Sequence, residues 1–348
     1  EAQPDVGFWP SSPSVGRLNF GDGWHDDTSG DMHFWDVWHS SKDFEHYRSV
    51  QPRFCSEFGF QSFPSNRVIA SFTEEKDRNV SSGVMDVHQR NPGGNSRIVE
   101  TLARYFRFPE KFEDMTWLSQ VSQALAMKTA IEFWRSAKPR CMGTLYWQLN
   151  DTWPVASWAS LEYGGGWKLT HYLARKFYAP VLVTAQPDDE TGDIVLWAIN
   201  DTPETVHLHV TACRVSVTGG MAEAGVWARP CPTDAAVEIA RIPRDTLGED
   251  EFLTFSWQDA GGSHSGENDY LPLRPKDYRF ADPNIHIEDD GDSISLTAER
   301  PALFVTLDHG GSDVWSDNGF TLLPGIPKVV HRSRARGGVH GDVKIRHL

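Results

Sequence analysis

The sequence predicts a multidomain protein in which an α/β part comes first and an all-β part follows. Over residues 1–180, short apolar runs with strand character alternate with helical patterns, which is typical of a parallel sheet. From about residue 181 the helical patterns stop, and short strands separated by turn residues take their place. A length of 348 residues also exceeds that of one ordinary domain and favours two or three.

Four short apolar runs in the first part are strand candidates. They are residues 6–9, 32–37, 53–58 and 142–149. Four strands supply half of an eight-stranded (β/α)8 barrel, in which catalytic side chains lie at the C-terminal ends of the parallel strands. We therefore expect residues 1–180 to form half of such a barrel.

Three segments of the first part are predicted to be amphipathic helices. Apolar residues recur at helical spacing over residues 97–106, from about residue 117 to 136, and over residues 167–177. Asp114 or Thr116 is the expected N-cap of the longest helix, because a small polar side chain can bond the free amides of the first turn.

The all-β part is expected to form two immunoglobulin-like β-sandwich domains, residues 181–280 and residues 281–348. Strict alternation of apolar and polar residues over 206–211 predicts a half-buried strand. The sequence Asp-Asp-Gly-Asp at residues 289–292 predicts a hairpin turn. A stretch with three prolines, residues 271–283, predicts the connection between the two sandwiches.

Composition excludes several classes of partner. A net charge of −15 argues against nucleic acid and anionic membranes, and no apolar run approaches the roughly 18 residues of a membrane span. The chain starts with Glu and shows no signal-peptide pattern, so we expect a mature chain or a piece of a longer one. The histidines and cysteines show no metal-ligand spacing, so neither a metal nor an organic cofactor is expected.

Cysteines and sequons bear on the cellular compartment. Cys213 and Cys231 lie in one β-rich region and could form a local disulfide, whereas Cys55 and Cys141 could be buried thiols. Formal glycosylation sequons start at Asn79, Asn150 and Asn200. We expect a secreted protein, with the lysosome or vacuole as the alternative.

The first cluster that carries chemistry is RFCSEFGFQSFPS, residues 53–65, with Glu57 at its centre. Apolar residues alternate up to Glu57 and Gly59 follows, as when a short buried strand ends by delivering a carboxylate to a sheet edge. A carboxylate held among aromatic residues suits covalent attack on an anomeric carbon. The alternative is a buried Glu that pairs with an Arg as a structural strut.

The second cluster is GTLYWQLNDTWP, residues 143–154. Its first half has strand character, and Trp147, Asn150 and Asp151 crowd the end of that strand. An indole face beside amide and carboxylate groups can stack on a pyranose and bond its hydroxyls. The alternative is that Trp147 belongs to the core, where its large apolar area alone would justify it.

The third cluster is GDMHFWDVWHSS, residues 30–41. If the segment is extended, His33 and Trp35 share one strand face by alternation. An imidazole and an indole would then point into one pocket. The alternative is that His33 is a core residue whose ring nitrogens are satisfied by hydrogen bonds.

Together these clusters resemble the β-mannosidases of glycoside hydrolase family 2. The segments FWPSSPSVG, GDMHFWDVWH, RFCSEFGFQSFPS and MGTLYWQLNDTWP occur in the order that this family shows at the ends of its fifth to eighth barrel strands. Residues 157–180 are similar to the segment that follows its last strand, and residues 313–325 to its final β-domain. The resemblance implies that residues 1–180 are the C-terminal half of a (β/α)8 TIM barrel.

The resemblance implies a retaining exo-β-mannosidase that removes terminal non-reducing β-D-mannose from oligosaccharides, with Glu57 as the nucleophile. The other residues that the resemblance places in the sugar pocket are Trp147, His33 and Trp35 and, less directly, Asn150 and Asp151. One departure is Gly166, where the family usually has Arg or Lys before a Trp. This departure puts in doubt any contact that a basic residue makes there.

The resemblance also implies an absence. Retaining glycosidases need two carboxyl groups roughly 5–5.5 Å apart, and in this family the acid/base Glu follows an Asn on the fourth barrel strand. This chain contains no such Asn-Glu pair, and Asp36, Asp151 or Glu162 would be the substitutes within it. The resemblance therefore implies that an N-terminal segment of the same enzyme completes the barrel. The alternatives are another family 2 exo-β-glycosidase, such as a β-glucosaminidase or β-galactosidase, and a non-catalytic carbohydrate-binding fragment.

Overall fold

The computed structural model describes residues 9, 11–16, 19, 24–308, 314–333 and 343–348. A mixed α/β region is followed by several antiparallel sheets. The predicted strand at residues 6–9 lies outside the described residues except for Trp9.

Two short parallel strands form the centre of the α/β region. Strand β1, Met32–Phe34, pairs with strand β2, Cys55–Phe58, and His33 lies opposite Glu57. Residues 142–147 run parallel to β2 along its other edge, because the Cys55 N–H bonds to the Gly143 carbonyl and the Leu145 N–H to the Cys55 carbonyl. Three chain segments therefore lie side by side in parallel, with β2 in the middle.

Two of the predicted strands are too long. The predicted strand 32–37 ends at Phe34, since helix α1, Asp36–His39, follows and buries both Val37 and Trp38 on one side. The predicted strand 142–149 reduces to an isolated bridge between Thr144 and Cys55. Within the described residues, residues 142–147 bond to β2, whereas Gln148 and Leu149 bond to residues 158–161, so the segment does not form an extended ladder with β2.

Five further helices surround these strands. They are α2 (Asn66–Ala70), α3 (Gly83–Val87), α4 (Gly94–Tyr105), α5 (Phe112–Ser136) and α6 (Leu169–Phe177). The prediction of α4, α5 and α6 is confirmed, whereas the one-turn helices α1, α2 and α3 have too few residues to show a helical period.

Helix α5 starts earlier than predicted. Its N-cap is Lys111, not Asp114 or Thr116, and Glu113 and Asp114 instead occupy the first turn. Acidic side chains there interact favourably with the positive end of the helix dipole. Near the other end, Trp134 is fully buried and its ring meets that of Phe58 edge-on at 4.8 Å, which packs α5 onto β2.

The first all-β region consists of two antiparallel sheets that share one apolar core. The three-stranded sheet contains, in order, β3 (Val181–Pro187), β4 (Ile194–Asn200) and β7 (Ala235–Ile242). The four-stranded sheet, in the order β6-β5-β8-β9, contains β5 (Val206–Ser216), β6 (Met221–Cys231), β8 (Glu251–Asp259) and β9 (Ser265–Tyr270). The predicted alternation over 206–211 is confirmed, because Val206, Leu208 and Val210 are buried and His207 and His209 exposed.

The second all-β region again forms two antiparallel sheets. One contains β10 (His286–Asp289), β11 (Ser293–Thr297), β13 (Val314–Trp315) and β15 (Lys328–Ser333), in the order β10-β11-β15-β13. The other contains β12 (Ala302–Asp308), β14 (Phe320–Leu322) and β16 (Lys344–Arg346), in the order β14-β12-β16. The predicted hairpin turn is confirmed, because β10 pairs with β11 and Gly291 has a φ of +91°.

The connection after β9 packs against the α/β region instead of hanging free. Leu271, Leu273 and Phe280 contact its apolar core. Arg274 bonds Asp43 at 3.0 Å and lies 4.9 Å from the centre of the Tyr105 ring. These contacts fix the two regions relative to each other.

The possible disulfide between Cys213 and Cys231 is wrong. All four cysteines are free. Cys213 lies opposite Glu223 and Cys231 lies opposite Val206 in the β5–β6 pair. The two thiols are therefore about seven residues, or roughly 24 Å, apart along the ladder. Among the described residues, no helix is long and apolar enough to cross a membrane.

Candidate functional site

Glu57 lies at the C-terminal end of β2, in the middle of the three parallel segments. Its side chain is 29% exposed, so the carboxylate is open to a ligand. The nearest charged partner is His33, whose Nδ1 lies 3.3 Å from Glu57 Oε2. No arginine pairs with Glu57 among the described residues, which removes the basis for the alternative of an Arg–Glu strut.

Gly59 explains why aromatic rings approach this carboxylate so closely. A Cβ atom at this position would lie 2.4 Å from the Trp147 carbonyl oxygen, 3.1 Å from Trp158 Cδ1 and 3.2 Å from a ring carbon of Trp35. Only glycine therefore leaves room for the three chains to meet. The three sequence clusters, which are distant along the chain, come together at this glycine.

Trp35 and Trp158 form a nearly perpendicular pair with ring centres 5.9 Å apart, and each is 9% exposed. Trp147 differs from this pair, because it is 43% exposed. Its backbone N–H donates to the Phe58 carbonyl. An exposed indole beside an exposed carboxylate is suited to stacking on a sugar ring. Trp147 therefore does not belong to the core of the described structure.

Asn150 and Asp151 lie in different surroundings. Asn150 is exposed and its backbone carbonyl accepts a bond from Gln148. Asp151 is buried and accepts a 2.8 Å hydrogen bond from the Ser157 hydroxyl. Burial raises the pKa of Asp151, while the Lys168 ammonium and the Ser157 hydroxyl oppose that shift. The described contacts of Asp151 are thus internal to the protein.

The remaining two acid/base substitutes also have structural partners. Glu162 is 4% exposed and accepts hydrogen bonds from the backbone amide of Ser65 at 2.6 Å and from Arg67 at 3.1 Å, which anchors the start of α2. Asp36 lies 3.7 Å from His25 and 3.4 Å from His46. Both carboxylates are engaged away from Glu57.

The sequence interpretation missed a polar cluster next to His33. The carboxylate of Asp31 accepts hydrogen bonds from the hydroxyls of Ser12 and Ser56, and Ser12 Oγ lies 3.1 Å from His33 Nε2. Burial opposes ionisation of Asp31, but hydrogen bonds from Ser12 and Ser56, from the Ser14 amide and from Trp9 together lower its pKa. The only sequence signal was its place, two residues before His33.

The sequence also gave no sign of the buried cation beside Asp151. Lys168 has no exposed area, and its ammonium donates to Ser62 Oγ at 3.0 Å and to the carbonyl of Ser157 at 3.2 Å. Burial lowers the pKa of Lys168 to about 8, although Asp151 and Glu162 act in the opposite direction. The described residues contain no group of three or more histidine, cysteine or acidic side chains that could hold a metal ion.

The chain is similar to known proteins over most of its length. A family model described as an Ig-fold domain of mannosidases matches residues 280–348. The β-mannosidase of Mus musculus is 33% identical over 353 residues, which cover 91% of this chain and 39% of the mouse protein. The β-mannosidase of Capra hircus is 35% identical over 223 residues, which cover 59% of this chain and 25% of the goat protein.

Solved structures show the same fold. The β-D-mannosidase of Dictyoglomus thermophilum superposes with a TM-score of 0.82 at 25% identity, over 93% of this chain and 41% of that chain. The exo-chitosanase of Amycolatopsis orientalis superposes with a TM-score of 0.64 at 15% identity, over 92% of this chain and 46% of that chain, which shows likeness of fold alone. The chain thus spans between a quarter and two fifths of the curated relatives' length. The resemblance read from the sequence motifs is confirmed.

Proposed function

We propose that this chain, which is homologous to a part of the β-mannosidases of glycoside hydrolase family 2, carries the nucleophile of a retaining exo-β-mannosidase. The observation that supports this proposal most is the position of Glu57. Its partly exposed carboxylate stands at the C-terminal end of a central parallel strand, beside His33 and the exposed indole of Trp147. The substrate is an oligosaccharide with a terminal non-reducing β-D-mannose.

In the proposed reaction, Glu57 attacks C1 of the mannose and forms a covalent mannosyl-enzyme intermediate. A second carboxyl group, roughly 5–5.5 Å away, protonates the leaving oxygen and then deprotonates the water that hydrolyses the intermediate. Asp36, Asp151 and Glu162 all have structural partners in the described residues, so none is free for this role. We therefore assign the acid/base to a Glu on a separate stretch of the same enzyme.

The edge formed by residues 142–149 supports an N-terminal segment that completes the barrel. Met142 and Leu145 are 52% and 58% exposed along this edge, ahead of the point where Leu149 bonds to Leu161. A strand of the first half-barrel placed there would bury these side chains and pair the open edge, which isolated sheets otherwise leave prone to aggregation.

Introducing a charge at this edge tests the barrel proposal. In the intact enzyme, Leu145→Glu is expected to lower the stability by about 2–3 kcal/mol and the unfolding midpoint by roughly 5–10 °C, because the leucine is buried there. The matched control is Val329→Glu on β15, which replaces an apolar residue that is 50% exposed. Thermal unfolding measures both, and equal midpoints for the two variants would contradict the proposed edge contact.

Covalent trapping tests the nucleophile directly. A mannoside with fluorine at C2 and a good leaving group slows hydrolysis of the intermediate, so the mannosyl-enzyme accumulates. We expect the intact enzyme to gain one fluoromannosyl unit, located by peptide mass spectrometry on Glu57. A label on any other residue would contradict the proposal. A parallel panel of nitrophenyl mannoside, glucosaminide and galactoside separates a β-mannosidase from other family 2 exo-glycosidases, and binding without turnover would indicate a carbohydrate-binding fragment.

The sequons support a proposed route through the secretory pathway, either to the outside or to the lysosome or vacuole. Asn79 is exposed at a turn. Asn200 is fully buried, and its amide nitrogen donates to the carbonyls of Glu204, Cys231 and Pro232. A glycan is therefore proposed on Asn79 and not on Asn200.

A further inference from the structure

Four side chains form what we call the Asp31 cluster, namely Asp31, Ser12, Ser56 and His33. The Ser12 hydroxyl lies 2.6 Å from Asp31 Oδ2, and the Ser56 hydroxyl also contacts that oxygen. The other carboxylate oxygen, Asp31 Oδ1, accepts from the Ser14 amide at 2.9 Å and from the Trp9 indole at 3.2 Å. Each oxygen of Asp31 thus has two donors, and the carboxylate can only accept.

These contacts fix where the hydrogens lie. A serine hydroxyl has one hydrogen, and both Ser12 and Ser56 direct theirs to the Asp31 carboxylate. Ser56 Oγ also lies 3.0 Å from Ser12 Oγ and 3.3 Å from the Met32 carbonyl, but the contacts of both hydroxyls with the carboxylate are shorter and take the hydrogens. Ser12 Oγ can then only accept from His33 Nε2, at 3.1 Å. Ring nitrogen Nε2 of His33 must therefore carry a hydrogen.

The opposite nitrogen of the ring faces the proposed nucleophile. His33 Nδ1 is buried and lies 3.3 Å from Glu57 Oε2, within ion-pair distance, and it makes no hydrogen bond among the described residues. With the hydrogen on Nε2, a neutral ring would turn a lone pair toward the carboxylate oxygen. Only a ring protonated on both nitrogens turns a hydrogen toward Ser12 and a positive charge toward an ionised Glu57.

We propose that Asp31 is a positioning residue that acts through Ser12 to fix the hydrogen of His33 on Nε2, so that His33 orients the Glu57 carboxylate only when its ring is doubly protonated. This inference rests on the proposed role of Glu57 as the nucleophile. It adds a third ionisation to those of the nucleophile and the acid/base. The hydrogen on Nδ1 stays on the ring and is not transferred.

The surroundings of His33 set the direction in which pH acts. Burial lowers the pKa of the His33 ring below its ordinary value, and the negative charges of Glu57 on β2 and of Asp31 before β1 oppose that shift only in part. The other described neighbour is the uncharged Trp24 ring, 5.4 Å away and edge-on. As the pH rises through the pKa of His33, the Nδ1 hydrogen is lost and the activity falls with it.

Replacing the Asp31 carboxylate by an amide moves the hydrogen of a neutral His33 ring from Nε2 to Nδ1. In Asp31→Asn, the two N–H donors on Oδ1 hold the amide oxygen at that position, so the NH2 group faces Ser12 and Ser56. Ser12 then accepts from the amide and donates its hydrogen to His33 Nε2. A neutral ring then carries its hydrogen on Nδ1, facing Glu57. The variant no longer needs a doubly protonated ring.

The test is the pH dependence of kcat/KM of the intact enzyme on 2,4-dinitrophenyl β-mannoside. The dinitrophenolate leaving group departs without protonation. The ionisation of the acid/base therefore does not shape the alkaline limb of the pH profile. Wild-type activity is expected to fall roughly tenfold per pH unit above the pKa of His33. One pH unit above the pKa of His33, Asp31→Asn is expected to keep its kcat/KM, so that its activity relative to the wild type rises about tenfold. Asp36→Asn, which changes a carboxylate that lies near His25 and His46 outside this cluster, is expected to keep the wild-type limb.

Ser12→Ala tests the same inference if the Asp31→Asn variant fails to fold. It removes the acceptor at Nε2, so a neutral ring can place its hydrogen on Nδ1, and the limb is again expected to shift upward. A limb that stays, or that moves to lower pH as loss of the Asp31 charge alone would cause, overturns the inference. So does a wild-type enzyme without an alkaline limb on this substrate. If the wild type labels at Glu57 but the limbs coincide, only this inference fails, whereas absence of mannoside hydrolysis overturns both proposals.

Discussion

Glu57→Gln is expected to lower the rate of mannoside hydrolysis by the intact enzyme at least about 10⁴-fold and to leave the fold unchanged. The amide has the shape of the carboxylate but cannot form the ester with C1, and removal of a covalent nucleophile typically has effects of this size. The fold should persist because, among the described residues, the Glu57 side chain has one polar contact, to His33, and the backbone of residue 57 is unchanged. Initial rates with nitrophenyl mannoside, and circular dichroism of the same samples, measure the two effects.

Chemical rescue distinguishes a nucleophile from a residue that merely positions the substrate. In Glu57→Ala, azide can enter the space left by the carboxylate and attack C1 from the same face, displacing the leaving group. The product is then the α-mannosyl azide, of opposite anomeric configuration to the substrate. Azide should restore no activity to Asp36→Asn, which changes a carboxylate already near His25 and His46 and is expected to stay active. A Glu57→Gln enzyme with wild-type turnover would contradict the assignment.

The location of Glu57 could be predicted because two local signals agree there. An alternating apolar run indicates a buried strand, and a Glu followed closely by Gly59 indicates its end. The structure adds the reason for the glycine, since Trp35, Trp147 and Trp158 occupy the space of its side chain. The pattern in sequence therefore reflected a real steric need, although it did not reveal which chains meet there.

Other features could not be predicted, because they depend on contacts between distant segments. Asp31 is polar and lies just before a strand, but its role depends on hydrogen bonds from the Ser12 and Ser56 hydroxyls, which lie on two other segments. Trp35 alternates with His33, yet α1 begins at the next residue and ends the strand. Lys168 lies at the start of the helix predicted over residues 167–177, and nothing in that pattern marks it as buried. A sequence gives the period and the residue types, whereas charge pairing is decided by the fold.

Lys168→Met is expected to lower the local stability around Ser62 and Ser157 by about 3–5 kcal/mol. Removing one partner of a buried ionic group leaves the others without compensation. The buried ammonium bonds the Ser62 hydroxyl and the Ser157 carbonyl, and Asp151 and Glu162 supply negative charge nearby. Methionine keeps the length of the side chain, so the loss reports charge and hydrogen bonds more than volume.

Hydrogen exchange of backbone amides measures this loss locally, which suits a multidomain protein whose global unfolding is not a two-state process. The matched control is Lys76→Met. The Lys76 side chain is 76% exposed, and its Nζ lies 2.8 Å from Glu74 Oε2 on a side chain that is 74% exposed. Such an exposed pair contributes only about 0–1 kcal/mol. Equal protection losses in the two variants would show that burial of Lys168 is not what makes it important.

The direction in which stability changes with pH is a second test of Lys168. Burial lowers the pKa of Lys168 to about 8 in the folded protein, whereas an unfolded chain keeps the ordinary value of about 10.4. Between these values the unfolded state binds more protons, so the stability that involves Lys168 rises with pH, by at most about 1.4 kcal/mol per unit.

Buried cysteines act in the opposite direction, because burial raises the pKa of Cys231 to about 11 and of Cys141 above its ordinary value. Their thiols ionise first in the unfolded state, so they lower the stability above about pH 8.5. The difference between wild type and Lys168→Met in hydrogen-exchange protection around Ser62 and Ser157, taken at each pH, removes this shared contribution. That difference is expected to widen in favour of the wild type from pH 7.5 to pH 9. If it narrows, the ammonium of Lys168 is not held below its ordinary pKa, and the buried group at position 168 stabilises the fold by packing alone.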